Sequence, residues 1–196
     1  MAKKHGGQET SDQGFDMGDI LHDSVLVDML PDLENNRVTL SFNVICLPER
    51  LRLKEDFLPE ILWSEDEDYD REILYKFVFE EVSELIFTAG GPEERVPEKR
   101  NILTTRNVRE FIENLQRHTM EVYDADVNVG KDGQTSFKMN GQLYSREAGG
   151  GIASYFEEVT IKFERVCVVD PEGLEKNLEE MAEMGREYWK VFKEMQ

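Results

Sequence analysis

Positive charge is scarce in this chain: 23 Lys and Arg stand against 42 Asp and Glu, and the formal net charge is −19 over 196 residues. That balance argues against a surface built to grip nucleic-acid phosphates or an anionic membrane, and it speeds encounter with basic proteins. Cysteine is nearly absent. Cys46 and Cys167 lie far apart in strand-like apolar surroundings, which excludes a disulfide framework and predicts buried free thiols in a reducing compartment, with one bridge between them as the lesser alternative. No apolar run approaches the ~18 residues of a membrane-spanning helix. Residues 1–15, with Lys3 and Lys4 among Gly and polar residues, contain no apolar stretch of a secretory signal, so a cytoplasmic location is expected. Apolar residues make up only 39% of the chain, yet eleven Phe, six Tyr and two Trp are too many for a disordered sequence. The expectation is a folded body with polar extensions.

Periodicity supplies the elements. Val38, Leu40, Phe42, Val44 and Cys46 alternate with Thr39, Ser41 and Asn43, predicting a half-buried strand whose hairpin partner is Ser24–Leu30. Pro31, Asp32, Glu34, Asn35 and Asn36 provide the turn. Ile73, Leu74, Phe77, Val78, Val82, Leu85 and Ile86 fit one helical face, with Gly90 and Gly91 as caps. Phe79-Glu80-Glu81-Val82 recurs, however, as Phe156-Glu157-Glu158-Val159, which leads into the alternating Val159, Ile161, Phe163, Cys167 and Val169, and strand is the preferred reading of both. Thr105 can cap a short helix with Val108, Phe111, Ile112 and Leu115 on one face. Residues 120–129 and 134–144 read as a hairpin turning at Lys131-Asp132-Gly133. Asp170-Pro171-Glu172 is read as opening a C-terminal amphipathic helix with Leu174, Leu178, Met181, Met184, Tyr188 and Phe192 as its apolar stripe.

The fold expected is α+β: an antiparallel sheet of five to six strands, a short middle helix and the C-terminal helix. Residues 1–17 form a disordered tail, 18–170 a single domain, and 171–196 a helix packed on that domain or on a partner.

Catalytic chemistry finds no convincing set of residues. His22-Asp23-Ser24 holds the residue types of a hydrolase triad, but adjacent residues in extended chain point to opposite faces, so backbone hydrogen bonding by Asp23 or Ser24 at the hairpin entrance is the better reading. Asp66-Glu67-Asp68-Tyr69-Asp70 begins like a calcium loop, yet Arg71 and Phe77 occupy the places of its glycine and bidentate Glu. Asp124 to Asn128 fails likewise at Val129 and Thr135. His5, His22 and His118 lack zinc-ligand spacing, and His118 is read as ending the middle helix. Ala148-Gly149-Gly150-Gly151 lacks the Lys-Ser/Thr ending of a phosphate loop. Arg95, Lys99, Arg100, Arg106, Arg109 and Arg117 are nearly neutralised by Glu93, Glu94, Glu98, Glu110 and Glu113, which leaves no basic patch for nucleic acid. No cofactor is expected.

Ile20-Leu21-His22-Asp23-Ser24-Val25-Leu26, followed after a turn by Arg37-Val38-Thr39-Leu40-Ser41-Phe42, resembles the opening hairpin of several small bacterial α+β families, some of them immunity proteins of polymorphic toxin systems. The resemblance is confined to these two stretches, and the acidic segment, the Gly-rich segment and the terminal helix have no counterpart in it. It implies a non-enzymatic inhibitor of a basic toxin or nuclease. Residues 55–72 carry nine acids against Arg71 alone. Glu65, Asp66, Glu67, Asp68, Tyr69 and Asp70 are therefore the expected surface for a basic protein partner, with Trp189 as an aromatic anchor. Two alternatives stand beside it: a homo-oligomeric structural or phage-type accessory protein assembling through the C-terminal helix, and an enzyme using carboxylate chemistry.

Overall fold

A computed structural model describes residues 15–45, 72–90, 98–101, 118–145 and 152–194. The strands are β1 (Phe15–Asp16), β2 (Val25–Asp32), β3 (Arg37–Ile45), β4 (Glu72–Glu80), β5 (Glu84–Gly90), β6 (Glu98–Asn101), β7 (His118–Val129), β8 (Thr135–Ser145), β9 (Ile152–Phe163), β10 (Arg165–Val169) and β11 (Glu175–Lys176). Among the described residues two helices accompany them, α1 (Gly18–Leu21) and α2 (Leu178–Glu194). The strands join one antiparallel sheet in the order β11-β10-β4-β3-β2-β7-β8-β9-β5-β6, with β1 added beside β7. The sheet thus exceeds the expected five to six strands: eleven are described, nine of them four residues or longer. Two stretches read as continuous are each broken in two. Glu81 adopts φ 53° between β4 and β5, and Glu164 separates β9 from β10. A single non-glycine residue in left-handed backbone ends a ladder without disturbing the alternation on either side, so periodicity carries little trace of it.

The two breaks adjoin in space and fold the sheet over. Ser83 N–H donates to the Lys162 carbonyl at 2.9 Å, and Glu164 N–H donates to the Glu80 carbonyl at 3.2 Å. Strands β4 and β10 therefore lie in one limb while their chain continuations, β5 and β9, lie in the other. Phe77 and Phe79 of β4 meet Phe137 of β8 at ring-centroid distances of 6.4 and 5.3 Å, and Phe79 meets Phe163 of β9 at 5.0 Å. The inner faces are the alternating apolar sets of each strand: Val38, Leu40, Phe42 and Val44 of β3 are fully buried, as are Val159 and Ile161 of β9. In β7 the inward set changes parity, from Met120 and Val122 to Ala125 and Val127, because the register with β8 shifts between Val122 and Asp124.

Structure begins within the stretch read as a tail. Phe15 and Asp16 pair with Val127 and Asp126, and Met17 is fully buried. Both β1 and β2 lie along the same edge of β7, and α1 is the excursion between them. Met17 N–H donates to the Ala125 carbonyl before it, while Asp23 N–H to the Val122 carbonyl and Val122 N–H to the Ser24 carbonyl restore the ladder after it. That excursion puts Ile20 and Leu21 into the core, and Asp23 takes φ 62° to return the chain to the sheet. The helix predicted from Thr105 lies outside the described residues; the short helix among them is near the N-terminal end of the sequence. His118, expected to end that middle helix, is the first residue of β7.

The C-terminal helix starts at Leu178, not after Pro171. Asp170 instead closes a turn: its carboxylate accepts from Leu174 N–H at 2.7 Å, its own N–H donates to the Leu174 carbonyl, and Gly173 takes φ 84°. Leu174, assigned to the helical stripe, is accordingly 59% exposed. The helix is opened by a reciprocal cap. Glu180 N–H donates to Asn177 Oδ1 and Asn177 N–H to Glu180 Oε2, both at 2.8 Å, so two otherwise unmatched N–H groups are satisfied.

Candidate functional site

Of the residues singled out for a partner, Glu65, Asp66, Glu67, Asp68, Tyr69 and Asp70 lie outside the described residues. The described residues that flank them in sequence are Ile45, where β3 ends, and Glu72, where β4 begins, and these two are register neighbours on adjacent strands. Val25 pairs with Asn43, so β2 begins at this same end of the β2–β3–β4 ladder, directly after α1.

Trp189 reaches that end from α2. Its indole N–H donates to the Asp19 carbonyl at 2.6 Å, and its ring stands edge-to-face with His22 at 5.5 Å and with Tyr188 at 5.3 Å. The approach is allowed by Gly185, one turn earlier. A Cβ there would lie 2.6 Å from Asp19 C and Ile20 N, so only glycine lets α2 settle on the α1 backbone. Leu178, Met181, Ala182, Met184 and Tyr188 line the buried face of the helix. The indole is thus half-buried as a strut between two elements of the fold. The exposed face carries Glu179, Glu180 and Glu183 in its first half and Arg186, Lys190 and Lys193 later, an order that complements the helix dipole.

His22, Asp23 and Ser24 do not form a catalytic set. They stand in a helix end and a left-handed residue, not in the extended chain expected. His22 Nδ1 lies 3.0 Å from Asp23 Oδ1, while the buried Ser24 hydroxyl donates to the Ile20 carbonyl at 3.2 Å. The backbone-bonding role predicted at the hairpin entrance falls to Ser24. Its hydroxyl stabilises the α1 excursion and is directed away from nucleophilic use.

Several other titratable groups among the described residues have local structural partners. Asp32 receives the Asn35 side-chain amide at 2.8 Å and faces Arg37 at 3.2 Å; the Asn35 hydrogen bond is the main cause that holds its carboxyl below the usual range. Arg165–Glu80 and Lys162–Glu84 pair across neighbouring strands at 2.9 and 3.0 Å. Cys167 is a free, half-buried thiol. Burial pushes its pKa up, and Glu175 and Glu80 add to the rise, so the thiolate needed for nucleophilic or redox chemistry is disfavoured. Asp124 and Asp126 belong to β7, a strand pairing with β8, and no group of three or more His, Cys, Asp or Glu placed to hold a metal ion occurs among the described residues. No described helix is long and apolar enough to cross a membrane.

Two features escaped the sequence reading. The Tyr123 hydroxyl donates to the Gln142 amide oxygen, across the β7 register shift, and a buried glutamine bonded to an exposed tyrosine gives no periodic signal. The second is the β2–β3 hairpin, where Val27, Leu30 and Leu33 are 45%, 54% and 46% exposed beside Asp28 and Glu34. Pairing of β2 with β7 stops at Leu26–Met120. The register shift between Leu26 and Asp28 turns Val27 outward, and a bulge of this kind is not legible in an apolar run. No protein-family model, curated protein or solved structure matches this chain.

Proposed function

We propose that this chain is a non-enzymatic, acidic protein-binding protein of the cytoplasm, acting as an immunity-like inhibitor of a basic toxin or nuclease. The observation that carries the reading is the charge itself, −19 in 196 residues with nine acids between residues 55 and 72. A surplus of that size steers association with a basic surface and disfavours nucleic acid and anionic lipid. Two features of the fold support it. The described residues that flank the acidic segment in sequence, Ile45 and Glu72, lie at the end of the ladder where β2 follows α1, the helix on which Trp189 rests. The Ser24 hydroxyl is engaged by the Ile20 carbonyl, and burial raises the pKa of the Cys167 thiol.

In this reading Glu65, Asp66, Glu67, Asp68 and Asp70 steer the partner, Tyr69 adds contact area, and Trp189 anchors the rim. The test is capture from native lysate at low and then high salt. A basic protein should be retained at low ionic strength and released as the Debye length shrinks from ~10 Å at 0.1 M towards ~3 Å at 1 M. Replacing the five acids of residues 65–70 by Asn and Gln should slow association by tenfold or more while leaving the unfolding midpoint unchanged. Capture that yields no basic protein, or retention unaffected by the neutralised segment, would overturn the reading. Trp189 requires a gentler probe than Trp189→Ala; Trp189→Phe keeps an aromatic ring in place while losing the N–H bond to Asp19 and part of the ring volume.

The alternative of a homo-oligomer assembling through α2 would draw, among the described side chains, on the charged outer face of that helix, because Met181, Met184 and Tyr188 are buried within the chain. Light scattering on the intact protein separates it from the inhibitor reading.

A further inference from the structure

We draw no further inference here: the strongest candidate, the exposed aliphatic edge of the β2–β3 hairpin at Val27, Leu30 and Leu33, is an unpartnered apolar surface, and nothing among the described residues shows what covers it.

Discussion

At the scale of single residues, glycines of the same composition carry opposite obligations. Gly185 sits inside α2, where alanine would gain about 1 kcal/mol of helix propensity. The Cβ it would add meets backbone atoms of Asp19 and Ile20 at 2.6 Å, which no rotamer change relieves. Overpacking of this kind costs about 1–3 kcal/mol. Gly185→Ala is therefore expected to lower the urea midpoint, and a raised midpoint would mean that α2 does not rest on α1. Gly133→Ala is the contrast: its surroundings are open, φ is 79°, and a loss of about 1–2 kcal/mol should arise from backbone strain alone. Cys167 gives a chemical readout. Its pKa is raised above the ordinary 9.0, so the folded state holds the proton more tightly than the unfolded one. Stability is fully present below the unfolded value and falls as pH rises through the folded one. In a Cys46→Ser background, alkylation at pH 8 should be slower than for a small free thiol and should accelerate at higher pH than that thiol does. A rate equal to the free thiol would remove the burial argument.

At the scale of elements, period-two alternation identified β3 and the β9–β10 stretch, turn chemistry pointed to the β7–β8 hairpin, and the recurrence of Phe-Glu-Glu-Val, against a helical spacing, gave the strand reading of residues 73–88. The alternation is clear in β3 because that strand buries one face. The start of the C-terminal helix was misplaced because Asp-Pro-Glu is equally good chemistry for a helix opening and for a tight turn. Gly173 in left-handed backbone decides for the turn, and the Asn177–Glu180 pair decides where helix begins. The consequence is measurable as a division of labour. Asn177→Ala should cost about 1 kcal/mol and fray the helix, seen as a loss of far-ultraviolet helical signal on mild heating. Asp170→Ala should destabilise the β10–β11 turn by a similar amount while leaving that helical signal intact. Equal helical losses in both variants would restore the earlier helix start.

At the scale of the whole molecule, charge opposes compactness. A chain at −19 pays for solubility with self-repulsion, and the cross-strand pairs Arg165–Glu80 and Lys162–Glu84, with side chains about a third to a half exposed, offset little of it. Raising NaCl from 0.05 to 0.5 M should therefore raise the thermal midpoint, by about 2–4 °C for each kcal/mol of repulsion screened in a chain of this size. A midpoint that falls with salt would show that favourable ion pairs outweigh the excess. The candidate site was legible in the sequence as far as charge goes, since Glu65 to Asp70 is a linear run. The role of Trp189 was not, because its partner carbonyl is 170 positions away at Asp19 and an aromatic at a helix end reads the same whether it anchors a partner or its own chain.

The sequence by itself determined the charge, the antiparallel strand character and the apolar stripe of the last helix, all of which follow from residue type and local period. Tertiary structure decided the rest. That β4 and β5 part company at Glu81, that β9 and β10 do so at Glu164, and that the two breaks meet, depends on hydrogen bonds between residues some eighty positions apart. Those contacts fold one sheet into two facing limbs, and only their closure buries Phe77 and Phe79 against Phe137 and Phe163. Alternation states which face of a strand is apolar; which other face it meets is set by long-range packing alone.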